Sequence, residues 1–137
     1  MICLLWLRQN LKDYYQTKNR VKSGTRLSVN TKQKPRAGEI WIADLGMIGK
    51  IRPVLILYYP NPDDSRMLVI VAPLTSQIRG CNGEIDITHI KWLPKPSAVN
   101  IQGLASVDKN CLSRKLGILP ATDFNNVKSA IKKLLNL

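Results

Sequence analysis

This chain is poor in the residues that build redox, metal and membrane sites. It has one histidine, His89, and three cysteines, Cys3, Cys81 and Cys111, with no Cys-x-x-Cys pair among them. A zinc site on His and Cys is therefore disfavoured, and an odd cysteine count fits a reducing compartment better than a disulfide framework. The first apolar run, Ile2–Leu7, is too short to span a bilayer, and no basic segment precedes it as a secretory signal would require. The expected compartment is the cytoplasm. Acids are scarce too: nine against 21 Lys and Arg, a net charge of +12. Residues 1–36 hold nine of the bases against Asp13 alone, and residues 37–137 hold twelve against eight acids, so two thirds of the surplus lies in the first quarter of the chain. A basic tail of this kind points to a polyanion, nucleic acid first and an acidic protein second; the bland alternative is a solvated, disordered leader.

What remains is a modest core built from Leu, Ile and Val with a single Phe, in 137 residues that suit one domain and show no internal repeat. Leu4, Leu7, Leu11 and Tyr15 fall at helical spacing, predicting a short amphipathic helix over residues 1–15. Residues 17–36 are polar, basic and free of acid, and read as a linker. The boundaries expected are therefore a basic extension, 1–36, and a folded domain, 37–137.

Within the domain, Gly38–Leu45 reads as a half-buried strand with Ile40 and Ile42 facing one way and Trp41 the other. Ile51–Gln77 organises the rest. Two apolar runs, IRPVLILYYP and MLVIVAPLTSQ, flank the polar turn NPDDSR and predict an antiparallel hairpin. The start of the first run and the end of the second then lie side by side, so Arg52 and Thr75 should meet at one rim. A guanidinium fork beside a hydroxyl donor can hold a phosphate; the alternative is a solvated rim charge and a threonine that merely suits a strand. Further on, Glu84–Thr88 alternates with Ile85 and Ile87 inward, Ala98–Val107 is strand-like but interrupted at Gly103, and Leu116–Leu119 offers a last short strand. Thr122 or Asp123 can cap a helix to about Leu135, with Phe124, Val127, Ile131 and Leu134 on one face. Five or six short strands and a closing helix predict a mainly β fold, a small, partly open barrel.

The succession GEIWIADL, RPVLIL, APLTSQ, EIDI, SVDKNCL and KLGIL, followed by an amphipathic helix, resembles the MazF/PemK family of toxin endoribonucleases over about residues 37–137. The resemblance implies an SH3-like barrel of the CcdB/MazF type that forms a homodimer and cuts single-stranded mRNA. It implies no metal or other cofactor, 2′,3′-cyclic phosphate and 5′-hydroxyl ends, and restraint by a MazE-like antitoxin of a type II toxin–antitoxin system. Arg52 matches the family's catalytic arginine and Thr75 the hydroxyl that helps bind the scissile phosphate. Ser76 and Gln77 lie in the same motif. Lys50 and Arg79 would add phosphate affinity as RNA-binding residues, with Lys91 beside them and Trp92 or Tyr58 available to stack on a base. The connection Gly46–Ile51 is shorter than the family's usual loop and lacks its glutamate, and the family's acid and arginine further on are Gln102 and Ala105 here.

Metal-free RNA cleavage asks for a proton acceptor at the 2′-hydroxyl, positive charge on the phosphorane and a proton for the departing 5′-oxygen. A guanidinium in water keeps its proton at neutral pH, so a separate base is expected, with Glu39, Asp44, Asp86 and His89 as candidates. Two alternatives remain open from the sequence. One is a weakened relative that binds RNA or antitoxin without cutting, favoured by Gln102 and Ala105. The other is a gyrase poison like the related CcdB toxins, disfavoured because the chain ends Leu-Leu-Asn-Leu rather than Trp-Gly-Ile.

Overall fold

Among the described residues seven strands and one α-helix form, against the five or six strands and closing helix expected. β1 (Glu39–Asp44), β2 (Ile51–Tyr58) and β3 (Leu68–Thr75) make an antiparallel meander. β4 (Glu84–Asp86), β5 (Ala98–Asn100), β6 (Ala105–Asp108) and β7 (Leu112–Ile118) follow, and α1 (Ala121–Leu134) closes the chain. The structure is a computed structural model that describes residues 33–46 and 50–137. The amphipathic helix expected over residues 1–15 and the basic linker up to residue 32 lie outside the described residues. Pro35–Leu137 forms one compact unit.

The strands run in the order β4-β5-β3-β2-β1-β7, and β3 shares its far edge between two partners: β6 along Leu68–Val71 and β5 at Leu74 and Thr75. The sheet bends there and does not close. Along β1 to β3 the two-residue period sorts apolar side chains onto both faces. On one, Ile40, Leu55, Ala72 and Leu74 join Val99, Ile87 and Val127 of α1. On the other, Trp41, Ala43, Val54, Ile56, Val69 and Val71 pack together under Val107 of β6 and Leu112 of β7. β1 is thus buried on both faces rather than half-buried, because it lies between β2 and β7 with a core on each side. Ile85 and Ile87 turn inward as expected.

Four boundaries differ from expectation, each for a local reason. β7 begins at Leu112, not Leu116. Ser113, Arg114 and Lys115 interrupt its apolar pattern, yet Lys115 Nζ lies 2.9 Å from Glu39 Oε1 on the neighbouring β1, which makes the charge tolerable inside the sheet. The run Ala98–Val107 is cut by a 3₁₀ turn, Ile101–Gly103, into β5 and β6. Gly103 is required at that turn: a Cβ there would stand 2.7 Å from Pro73 Cγ. β4 stops at Asp86, whose Oδ1 accepts the Thr88 N–H at 2.7 Å and turns the chain. The N-cap of α1 is Pro120, with no side-chain cap bond. Asp123 instead turns inward to His89, Oδ2 to Nε2 3.0 Å, and is itself buried. Phe124, Val127 and Ile131 face the core, whereas Leu134 in the last turn stays exposed.

Candidate functional site

The register of β2 on β3 sets the site. Val54 lies opposite Pro73 and Leu55 opposite Ala72; carried two residues to the rim, the same register sets Arg52 opposite Thr75. Both fall on the face of the second cluster, Arg52 by its spacing from Val54 and Ile56 and Thr75 by its spacing from Val71. Arg52 also pairs with Ala43 of β1, Thr75 with Ala98 of β5, and Ala98 with Asp86 of β4. One row, Ala43, Arg52, Thr75, Ala98 and Asp86, therefore crosses five strands at the rim, with neighbours about 4.8 Å apart.

The electrostatics of the row are unbalanced at its centre. Arg52 is half-buried and has no ion-pair partner among the described residues. Thr75 Oγ1 accepts the Gln77 N–H at 3.1 Å, and its own donation to the Gln77 carbonyl is long, 3.4 Å. The hydroxyl proton is weakly held and free to turn to a stronger acceptor such as a phosphate oxygen. Ser76 and Gln77 are exposed beside it, and Lys50, also exposed, stands just ahead of β2. The loop then folds back: the N–H groups of Arg79 and Gly80 donate to Glu84 Oε2 at 2.8 and 3.0 Å, which places exposed Arg79 beside β4 rather than beside Arg52.

Other residues singled out by sequence lie elsewhere. Tyr58 ends β2, at the far end from Arg52, and its hydroxyl donates to Asp64 in the hairpin loop. Lys91 and Trp92 are in the β4–β5 connection, where the Trp92 ring covers Gly117 of β7; a Cβ on that glycine would meet the ring at 2.8 Å. Of the base candidates, Glu39 is buried and fully engaged. Burial alone would push its pKa up, but donation from Lys115, Trp41 Nε1 and the Arg36 N–H outweighs this and holds it below the ordinary value. Such a carboxylate is a poor base. Asp44 shares the parity of Ile40 and Ile42, the face opposite to Arg52, and its Oδ1 takes the Gly46 N–H at 3.0 Å. His89 is committed to Asp123 of α1. Only Asp86 shares the row with Arg52 and Thr75.

Sequence reasoning missed that Glu84 and Asn100, paired across β4 and β5, belong to the same face as Thr75. The alternation Glu84-Ile85-Asp86 carried half of that signal; the pairing of β5 with β3 was not readable. Among the described residues no three His, Cys, Asp or Glu side chains converge as metal ligands, and no helix is long and apolar enough to cross a membrane.

An open antiparallel sheet closed off by one helix, with an arginine that has no ion-pair partner among the described residues and a threonine hydroxyl at one rim, defines the class: a small, partly open β-barrel protein. A sequence profile of PemK-like, MazF-like toxins of type II toxin–antitoxin systems matches residues 36–135. The chain belongs to that family. Endoribonuclease MazF of Staphylococcus saprophyticus is 31% identical over 110 residues, spanning 74% of this chain and 92% of its own. The probable endoribonuclease MazF5 of Mycobacterium tuberculosis is 34% identical over 86 residues, 62% of this chain and 78% of its own. Among solved structures, the M. tuberculosis toxin MazF-mt6 aligns with a TM-score of 0.62 at 31% identity, covering 72% of this chain and 97% of that one. The fold is likewise that of MazF in a MazE–MazF crystal structure from Deinococcus radiodurans, TM-score 0.65 at 21% identity over 77% of this chain and 99% of that one.

Proposed function

We propose that this chain is the toxin of a type II toxin–antitoxin system, an endoribonuclease that cuts single-stranded mRNA at chosen sequences, with Arg52 and Thr75 acting on the scissile phosphate. The observation that supports this reading is the β2–β3 register, which, continued two residues beyond Val54 and Pro73, brings Arg52, without an ion-pair partner among the described residues, opposite a weakly engaged hydroxyl. In the reaction the 2′-oxygen gives up its proton to solvent water as it attacks the adjacent phosphorus; the P–O5′ bond breaks and the departing 5′-oxygen takes a proton from water. The products are a 2′,3′-cyclic phosphate and a 5′-hydroxyl. Arg52 neutralises the charge that grows on the non-bridging oxygens, and Thr75 donates a hydrogen bond to one of them. Lys50, Ser76 and Gln77 hold the neighbouring backbone, and Arg79 extends the contact toward β4. No step calls on a metal. A mycobacterial endoribonuclease in complex with its cognate antitoxin and the MazE–MazF crystal structure from Deinococcus radiodurans support a MazE-like partner, and a homodimer in the cytoplasm is the working form. Family membership together with Arg52 and Thr75 in place favours cutting over binding alone.

The test is a long, unstructured RNA incubated with purified protein in EDTA. Wild type should leave discrete 5′-hydroxyl ends, and Arg52→Ala and Thr75→Ala should each lose at least about a hundredfold in rate. Intact RNA after incubation with folded wild type would refute the reading.

A further inference from the structure

The rim continues past Thr75 onto β4, and what stands there is an acid. Ile85 packs into the helix-covered core, so Glu84 and Asp86 turn to the opposite face, the face of Thr75. Asp86 is two strands from Thr75, about 10 Å across the sheet, and Ala98 between them contributes only a methyl. Its carboxylate is exposed but not loose: the Thr88 N–H, 2.7 Å from Oδ1, fixes it, and the Thr88 backbone and side chain together hold its pKa below the ordinary value. An ionised acid on a surface that receives RNA repels phosphate and accepts hydrogen bonds only. It is useful there if it meets base N–H groups. Guanine is the base whose Watson–Crick edge offers two adjacent donors, N1–H and N2–H₂, matched to the two oxygens of a carboxylate; uracil, adenine and cytosine each offer one kind of donor flanked by acceptors.

We propose that Asp86 is a specificity-determining residue that selects guanine at a nucleotide neighbouring the scissile phosphate. This rests on the reading of Arg52 and Thr75 as the phosphate site. Asp86 does no chemistry in it; it receives the base while Arg52 and Thr75 hold the backbone. Asn at this position would keep the turn, since its amide oxygen accepts the Thr88 N–H equally well, but would present one acceptor and one donor, the pattern that matches adenine.

The experiment measures binding of the full chain to single-stranded oligonucleotides made uncuttable by 2′-deoxyribose throughout, each carrying one guanosine that is moved along the sequence or replaced by inosine, which lacks N2–H₂. Wild type should bind guanosine about tenfold more tightly than inosine at one position. Asp86→Asn should lose that difference and gain adenosine there. Equal affinity for guanosine and inosine at every position, or an unchanged guanosine preference in Asp86→Asn, overturns the proposal. Cleavage of ordinary RNA by the same wild type is scored separately. Discrimination without cutting means that the nuclease reading has failed and Asp86's role stands; cutting without discrimination means the reverse.

Discussion

Replacing Lys115 by methionine tests how the sheet tolerates its buried acid. The Glu39 carboxylate receives the Arg36 N–H at 3.0 Å, Trp41 Nε1 at 2.8 Å and Lys115 Nζ at 2.9 Å, and the Glu39 side chain is only 6% exposed. Lys115→Met keeps the apolar stem but removes the one compensating charge among the described residues. Breaking a buried pair costs about 3–5 kcal/mol, and a hydrogen bond to a charged group about 1.5–3 kcal/mol. Lys115 is 23% exposed, so water can partly replace it; the expected loss at pH 7 is about 2–3 kcal/mol. The pH dependence fixes the sign. In the wild type the folded pKa of Glu39 lies below its ordinary value of 4.5, so its contribution is fully present above that value and disappears as pH falls through the folded pKa. In the variant burial is opposed only by Trp41 and Arg36, the pKa rises, and protonation relieves the buried charge. The stability gap between the two proteins should therefore be widest at neutral pH and narrow on acidification. Urea titrations at pH 7, 5 and 4 read it directly. A gap under about 0.5 kcal/mol at pH 7, or one that widens in acid, would refute the reasoning.

Leu55→Ala should cost about 2–5 kcal/mol in urea unfolding, because Leu55 is fully buried at the centre of the helix-covered core. Gly103→Ala drives a Cβ to 2.7 Å from Pro73 and 3.0 Å from the Asn100 amide; a loss of about 1–3 kcal/mol is expected in thermal melts, with slower RNA cleavage because Pro73 is two residues from Thr75. RNA affinity should fall steeply with salt, and Lys50→Ala should lower the slope of log affinity against log salt by about 0.7, read by anisotropy on a single-stranded oligonucleotide. An unchanged slope would remove Lys50 from the RNA path.

The meander was legible because its signals are local. Apolar runs on either side of Asn61-Pro62-Asp63-Asp64 specify a hairpin, and antiparallel pairing then dictates that Arg52 and Thr75 share a rim. What was hidden depends on partners far along the chain. Lys115 looks like a surface residue until Glu39 is placed beside it, 76 positions away, so the local pattern predicts a start of β7 four residues too late. Asp123 looks like a helix cap until His89 claims it from 34 positions away. The alternation of β1 says that one face is buried; it cannot say that β6 and β7 supply a second cluster for the other. For the same reason the sequence offered four base candidates with nothing to rank them. Pairing separates them: Glu39 is engaged, Asp44 takes the other face, His89 belongs to α1, and Asp86, though in the row, stands two strands from Thr75, too far to take the 2′-proton beside it.

That row makes activity depend on strand register more than on any single contact near Arg52. β2 is held by Val54 and Ile56 on one face and Leu55 on the other, all fully buried. Sliding β2 by one residue against β3 would bring Ile51 or Pro53 opposite Thr75, move Arg52 to the helix-covered face and expose the buried set. The two cores therefore do more than stabilise the fold. They exclude the neighbouring registers, and with a guanidinium contributed by one strand and a hydroxyl by the next, only one register assembles the pair. Truncating Val54 or Leu55 should accordingly lower cleavage by more than the loss of folded protein explains wherever a variant lets β2 shift, and by no more than that loss where the register holds.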